Sequence, residues 1–451
     1  MKDHTMKKTL GAVALIGASA LVLAGCAGSG NAGGDSTGDA SGFDPEAAKG
    51  QNITFWVMGG DTPDELRQYL KDEYKTATGG TLTIEEQSWT DAVTKLANQL
   101  PDANNTPDVT EIGNTWSPTF TTAGSFSDLS GIYDELGGKD LLQSFVDVGT
   151  VDGKQYALPY YFGSRYITYR KDIWSAAGLE VPKTLDEFNE DVKTLRTDGQ
   201  SGFYIGGEDW RNGVSWIFAN GGDLAKKDGD KWVSTLSDAK TVTGLEQFQD
   251  LFQNASNAPA TEDDSTPWVN INNDKNGNPP TAATIIAPGW AHWSIGDFVE
   301  EKTGDDGKVT EVREWNDDTF GVFPLPGTTA GEAAPVFAGG SNIGISAKSK
   351  NQAGAKELLK IIFSDEYQQM LGKNGLGPAN TKFVDSLGDD IFATALIDSA
   401  LNSKLTPAAP GWAAVEGQKI LEEFFGKVAA GGDIEALAKE YDQKIDAIIN
   451  G

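Results

Sequence analysis

One cysteine and two histidines in 451 residues leave little material for thiol, disulfide or metal chemistry. The cysteine is Cys26, so the rest of the chain has no thiol nucleophile, no disulfide and no cysteine zinc site. Beyond the N-terminus only His292 remains, which excludes a two-histidine metal motif. A Ser-His-Asp triad would have to run through Pro288-Gly-Trp-Ala-His-Trp-Ser-Ile-Gly296, where there is no nucleophile-elbow pattern. His292, between Trp290 and Trp293, reads as a packing or hydrogen-bonding residue. Positive charge is also scarce: 36 Lys and Arg against 66 Asp and Glu give a net charge of −30, which repels nucleic acid and anionic lipid. After Ala24 no apolar run approaches the ~18 residues of a membrane span, so the chain is not itself a channel or permease.

The N-terminus carries an address. Lys7-Lys8 precedes an apolar run from Leu10 to Ala24, and Leu23-Ala-Gly-Cys26 closes it in the pattern of a lipoprotein signal. Residues 1–25 are expected to be cleaved, leaving Cys26 as the lipid carrier. The Gly/Ser/Asp-rich stretch of 26–50 is expected to be a flexible tether, with the folded body starting near Ile53. A body of about 400 residues is too large for one small core and suits two lobes.

Within that body Ile53–Val57, Leu82–Glu86 and Asp108–Ile112 alternate with helical stretches, a βαβαβ rhythm that predicts a parallel sheet flanked by helices. Ligands of such sheets lie beyond the carboxyl ends of the strands. The loops there are Met58-Gly-Gly-Asp61, Gln87-Ser-Trp89 and Gly113-Asn-Thr-Trp116. Thr184-x-x-Glu187 is a capping box, and apolar stripes at helical spacing over 355–363 and 434–448 read as core. Asn272, Asp274, Asn276 and Gly277 imitate half a calcium loop. Ala283 stands where the bidentate Glu belongs, so a turn is expected. Gly372-Lys-Asn-Gly-Leu-Gly377 is no dinucleotide fingerprint, because no strand leads into it.

Several of the twelve tryptophans sit in turns rather than on apolar stripes: Trp89, Trp116, Trp210, Trp290, Trp293 and Trp412. An exposed indole suits the apolar C–H face of a sugar ring, with carboxylates and amides taking the hydroxyls. Asp61, Asn114, Asp209 and Asn342 occupy turn positions fit for that task.

In order along the chain, Thr106-Pro-Asp-Val-Thr-Glu-Ile112, Gly153-Lys-Gln-Tyr-Ala-Leu-Pro159, Tyr169-Arg-Lys-Asp-Ile-Trp174, Phe320-Gly-Val-Phe-Pro-Leu-Pro-Gly327, Gly339-Gly-Ser-Asn342 and Gly375-Leu-Gly-Pro-Ala379 resemble the extracytoplasmic solute-binding proteins of ABC transporters. The likeness is to the oligosaccharide-binding, maltose-binding-protein-like group. It implies two α/β lobes, each a mostly parallel sheet flanked by helices, joined by three hinge crossings near 160–163, 320–325 and 363–366. Lobe one is then 51–160 with 325–363, and lobe two 161–324 with 364–451. By position, the resemblance carries sugar contacts onto Gly60, Asp61, Asn114, Thr115, Trp116, Asp209, Trp210, Trp290 and Trp412, beside Trp89 and Asn342 from the loop reading. Gly60-Asp61 replaces a basic residue of the family and Glu416 an Arg, departures that weigh against maltodextrin while leaving carbohydrate as the class.

The implied function is a non-enzymatic, lipid-anchored, monomeric receptor on the extracytoplasmic face of the cell membrane. It takes a neutral oligosaccharide by hinge closure, uses no cofactor or metal, and delivers to a membrane permease with its ATPase. Rival readings are the same fold binding a cationic solute or peptide through Asp61, Asp209 and Glu416, a lipoprotein glycoside hydrolase with two carboxylates, and a purely structural surface protein.

Overall fold

The computed structural model describes residues 42–263, 266–303 and 309–451. Cys26, the expected signal 1–25 and the tether as far as residue 41 lie outside the described residues. The body starts earlier than the composition suggested. Pro45–Ala48 forms a helical turn with Asp44 as N-cap, accepting from Ala47 N at 2.9 Å. Phe43 packs on the first core, under the Lys360 ammonium. Residues 43–50 therefore belong to the fold rather than to the tether, because one aromatic anchor and one capped turn suffice to dock them.

Lobe one is built on β1 (Ile53–Met58), α1 (Asp64–Thr78), β2 (Leu82–Gln87), α2 (Ala92–Gln99), β3 (Val109–Gly113) and α3 (Ser117–Thr122). Alternation along β1 sends Ile53, Phe55 and Val57 to a core with Leu66, Leu70 and Tyr74 of α1. Trp56 and Met58 go to the opposite face with Leu96 and Leu100. Acidic Asp64 and Glu65 open α1, and Gly79 at φ 73° closes it. The sheet is completed by β4 (Ala157–Gly163) and by two strands from much later in the chain.

After β4 the chain crosses at Ser164 into β5 (Arg165–Arg170), the centre of a second sheet. Lobe two adds α4 (Leu185–Thr194), α5 (Trp210–Ala219), α6 (Ala239–Asn254), β6 (Thr284–Pro288) and β7 (Phe320–Phe323). Its core gathers Trp174, Phe188, Trp216, Phe248 and Phe425. The capping box forms as read: Thr184 Oγ1 accepts from Glu187 N, and Glu187 Oε2 accepts from Thr184 N. The calcium-loop imitation is a turn in which Asn276 N and Asn278 N both donate to Asp274 Oδ1 at 2.8 Å.

The chain returns to lobe one through β8 (Gly339–Ile345), α7 (Gln352–Ile362), α8 (Asp365–Lys373) and β9 (Gly377–Pro378). It then crosses a third time into α9 (Ile391–Leu401), α10 (Trp412–Gly417), α11 (Ile420–Ala429) and α12 (Ile434–Asp446). The first sheet runs β9-β4-β8-β3-β1-β2 and the second β6-β5-β7.

The two-lobed α/β architecture with three crossings is thus present, and three details differ from expectation. Strand direction is mixed: β1 pairs parallel with β2 and β3, whereas β8 is antiparallel to β3 and β4, and β5 is antiparallel to both neighbours. A strand that re-enters lobe one from the hinge end must run against β3. The second crossing lies near Ala338 rather than at 320–325, because β7 pairs with β5 and Leu325, Ala334, Val336 and Phe337 fill the core of lobe two. The third lies near 388–390 rather than 363–366, because Tyr367, Leu371 and Ala379 are core residues of lobe one.

Candidate ligand-binding cleft

Three strands of lobe one end at one rim, where the loops after β1, β2 and β3 approach one another. Gly59 sits at φ 53°, and a Cβ there would meet Trp89 Cδ1 at 3.0 Å, so glycine is required both by the turn and by the indole beside it. Facing this rim are the turn after β6 and Leu396 of α9, and between them lies a cavity of about 430 Å³. That size falls in the ~300–1,000 Å³ range of small-molecule sites. Lobe one lines it with Gly60, Asp61, Trp89 and Tyr161, the hinge with Gly163-Ser164-Arg165, and lobe two with Trp290 and Trp293. A wider, more open depression of about 1030 Å³ elsewhere on lobe two has Phe323 as its one aromatic, among prolines, Lys183 and Glu332, and offers no facing platforms.

The tryptophans are presented unequally. Trp290 is 56% exposed and stands edge-on to Trp268 at 4.8 Å, and Trp293 is 72% exposed beside His292. His292 holds this turn together: its Nδ1 lies 2.6 Å from Gly289 O, and its ring stacks on Phe392 at 4.3 Å. Gly289 O can only accept, so Nδ1 carries the hydrogen, and burial lowers the imidazole's proton affinity. His292 is a structural donor, as its sequence context suggested.

Opposite, Asp61 Oδ2 accepts from Trp89 Nε1 and Tyr161 Oη, each at 3.0 Å. Asp61 keeps an exposed edge, but the protein around its carboxylate removes enough water to raise its proton affinity, against the lowering effect of those two bonds. Behind it lies Glu111, wholly buried on β3, with Oε1 2.9 Å from Tyr161 Oη and Oε2 accepting from Met58 N at 2.8 Å. Burial pushes the Glu111 carboxyl up to about 7.

Of the expected site residues, Gly60, Asp61, Trp89 and Trp290 line the cavity. Thr115, Trp116 and Trp412 assemble beside it around Glu416, read from the sequence as a departure from the family and a possible cation partner, with Trp210 joined through Arg211. Glu416, with an 8% exposed side chain, accepts from Trp412 Nε1 at 2.8 Å and Thr115 Oγ1 at 3.2 Å, and lies 3.9 Å from Arg211 Nη2. Burial raises its proton affinity, and Arg211 opposes the shift. This group bridges the lobes, since Thr115 precedes α3 and Glu416 lies on α10; Ala413 N adds a bond to Thr119 Oγ1 at 3.3 Å. Trp89 and Trp116 touch at 5.4 Å, which makes the cavity and the Glu416 cluster one continuous strip.

Trp412 and Trp210 are not open platforms in this conformation. Each is the first residue of its helix and nearly fully buried, Trp412 in the core of lobe two and Trp210 against Phe337. The Arg211 guanidinium lies 4.7 Å over the Trp210 ring. Asp209 caps α5 instead of facing the cavity, accepting from Asn212 N at 3.0 Å and Asn212 Nδ2 at 2.7 Å. Asn114 and Asn342 are buried; Asn114 donates to Ala338 O at the second crossing, and Asn342 to Phe145 O in a helical turn of lobe one.

The sequence reading missed Tyr161, Arg165, Ser341 and Glu111 and passed over Trp293. Trp293 carried the same turn-tryptophan signal as Trp290. Tyr161 and Arg165 flank the first crossing, and residues at a hinge lie against any ligand held between lobes. Glu111 stood in the middle of the strand run Asp108–Ile112, where a carboxylate on a central strand is itself a signal.

With this geometry in view, comparison with known proteins gives its lineage. Residues 70–395 match the family model described as bacterial extracellular solute-binding protein. The chain is 35% identical over 415 residues to the diacetylchitobiose binding protein DasA of Streptomyces coelicolor, covering 91% of each chain. Among solved structures it resembles the sugar-binding protein MalE of Xanthomonas citri, with TM-score 0.73 and 20% identity over 88% of this chain and 97% of that one. The GacH receptor of Streptomyces glaucescens gives TM-score 0.70 and 22% identity over 89% and 98%. At those identities the solved structures speak for the fold. These relatives are binding proteins, not enzymes. No helix among the described residues is long and apolar enough to cross a membrane. The two lobes, the cleft between them and the family match over most of the chain make this protein a member of the bacterial extracellular solute-binding protein family.

Proposed function

We propose that this chain is the receptor of a sugar importer, taking a short neutral oligosaccharide into the cleft between its lobes, with diacetylchitobiose the first candidate. The observation that carries the reading is the 35% identity over 91% of both chains to a protein named for binding that disaccharide. The cleft is consistent with it. Trp290 and Trp293 offer broad apolar faces from lobe two, and Asp61 and Trp89 offer a fixed acceptor and a further ring from lobe one. A ligand touching both sides favours the closed arrangement through its differential affinity for it. Lipid attachment at Cys26, a monomeric state and delivery to a permease with its ATPase complete the proposal; the tether would hold the body near the transporter.

A cationic ligand is less well served. Of the three carboxylates considered for it, Asp209 is committed to a helix cap and Glu416 to Trp412, Thr115 and Arg211, while Arg165 lines the same cavity as Asp61. Titration calorimetry with diacetylchitobiose, longer chito-oligosaccharides, maltodextrins, a basic peptide and a polyamine tests the reading. Heat from a chito-oligosaccharide and recovery of the sugar unchanged support it, and heat from the peptide or polyamine alone refutes it.

A further inference from the structure

Tyr161 has one hydroxyl hydrogen and two carboxylates to serve. Its Oη lies 3.0 Å from Asp61 Oδ2 and 2.9 Å from Glu111 Oε1, and Ser341 Oγ donates to it at 3.3 Å. A phenol donates once, and an ionised carboxylate only accepts. If Tyr161 gives its hydrogen to Asp61, the 2.9 Å approach of Glu111 Oε1 to Tyr161 Oη is a contact between two acceptors unless Glu111 itself carries a proton.

The surroundings favour that proton. Glu111 is wholly buried on β3, and its other oxygen is taken by Met58 N. The nearby cation is Arg67 of α1, and it is already engaged with Thr62 O, Gly59 O and Glu86. From β4 and α8 the neighbours are the phenols of Tyr160 and Tyr367, which bond to each other at 2.9 Å and bring no charge. Asp61 faces Glu111 as an anion, and Glu86 in turn faces Asp61. Burial, reinforced by the Asp61 charge, outweighs the hydrogen bonds from Ser341, Met58 N and Tyr161 that favour the ionised form, and holds the Glu111 carboxyl up to about 7.

We propose that Glu111 is a positioning residue for ligand capture: as a neutral acid it donates to Tyr161 Oη, Tyr161 donates to Asp61 Oδ2, and Asp61 is thereby held ionised and aimed to accept an O–H or N–H of the ligand through Oδ1. Trp89 Nε1 fixes Oδ2 from the other side, and among the described residues no hydrogen bond reaches Oδ1. When Glu111 loses its proton it competes for the Tyr161 hydrogen, and Asp61 loses one of its two anchors. Ligand affinity then falls as pH rises through the neutral range. On the acid side it falls separately, as Asp61 takes up a proton above the ordinary carboxylate range.

The inference rests on the sugar-receptor reading, and its test separates the two. Affinity for diacetylchitobiose is measured by calorimetry from pH 5.5 to 8.5 in wild type, Glu111→Gln and Tyr161→Phe, with thermal melting of the ligand-free proteins over the same range. Gln can donate to Tyr161 Oη and accept from Met58 N, so Glu111→Gln should keep the affinity of wild type at pH 6 and lose the alkaline decline. In wild type that decline is about tenfold if binding shifts the Glu111 pKa by one unit. Tyr161→Phe should bind weakly at every pH and show no alkaline limb. A wild type with flat affinity between pH 6 and 8.5, or a Glu111→Gln variant that keeps the decline, overturns the proposal. If no sugar binds at any pH, the receptor reading fails. The proton on Glu111 is then judged from ligand-free melting: wild type losing stability relative to Glu111→Gln as pH rises supports it, and parallel profiles overturn it.

Discussion

Trp290→Ala and Trp412→Ala should separate binding from folding, although both tryptophans lie in Pro-Gly-Trp contexts and look alike in sequence. Trp290 is 56% exposed, so about half of an indole side chain of roughly 200 Å² is uncovered. Covering on the order of 100 Å² with a sugar face at ~25 cal/mol per Å² gives a ceiling near 2.5 kcal/mol. Ordering costs on association reduce the expected contribution to about 1.5 kcal/mol, or roughly a tenfold rise in Kd. Its contribution to stability is small, because its main partner is a single edge contact with Trp268. Trp412 is fully buried and donates to Glu416, so its removal opens a cavity and frees a buried acceptor, at a cost of about 3–5 kcal/mol. Calorimetry and thermal melting on both variants decide the matter. Wild-type affinity in Trp290→Ala, or an unchanged melting temperature in Trp412→Ala, would refute the reasoning.

Thr115→Val removes a lobe-bridging hydrogen bond to Glu416 while keeping side-chain shape. It should weaken closure by about 1.5 kcal/mol, seen as a larger radius of gyration by small-angle scattering, and an unchanged radius contradicts this. The Glu111 carboxyl, held at about 7 against an ordinary 4.5, binds its proton more tightly in the folded chain. Its stabilising effect is complete below about pH 4.5 and fades as pH rises to about 7, a difference of about 3 kcal/mol that Glu111→Gln should abolish in denaturant titrations. Thr184→Ala breaks the capping box of α4 and should cost about 1 kcal/mol of stability with no change in sugar affinity. Gly59→Ala forces a Cβ to within 3.0 Å of Trp89 at a left-handed position, and should lower both melting temperature and affinity.

What could be read from the chain follows from which physics is local. The βαβαβ rhythm, the apolar stripes and the Thr184 capping box depend on spacing within a few residues, and all appear in the structure. The loops at the carboxyl ends of β1 and β2 were legible for the same reason, and they bring Asp61 and Trp89 to the cleft. Burial at a helix start is not local. Trp290 and Trp412 share a Pro-Gly-Trp context, and only the packing of α10 in the core of lobe two decides that the second is enclosed. Lobe membership was equally opaque where a segment's partner lies far away. Tyr367 belongs to lobe one because its hydroxyl meets Tyr160, 207 positions earlier. Glu416 read as a missing arginine and proved to be the centre of a bridging cluster, because its partners come from 115, 211 and 412.

The central claim is a sugar held between the lobes. Calorimetric titration of the purified protein with diacetylchitobiose, with small-angle scattering before and after saturation, addresses it most directly. One site per chain is expected, with a radius of gyration equal to or smaller than that of the free protein. Absence of heat from every oligosaccharide tried, with saturable binding of a cation or peptide, would contradict it.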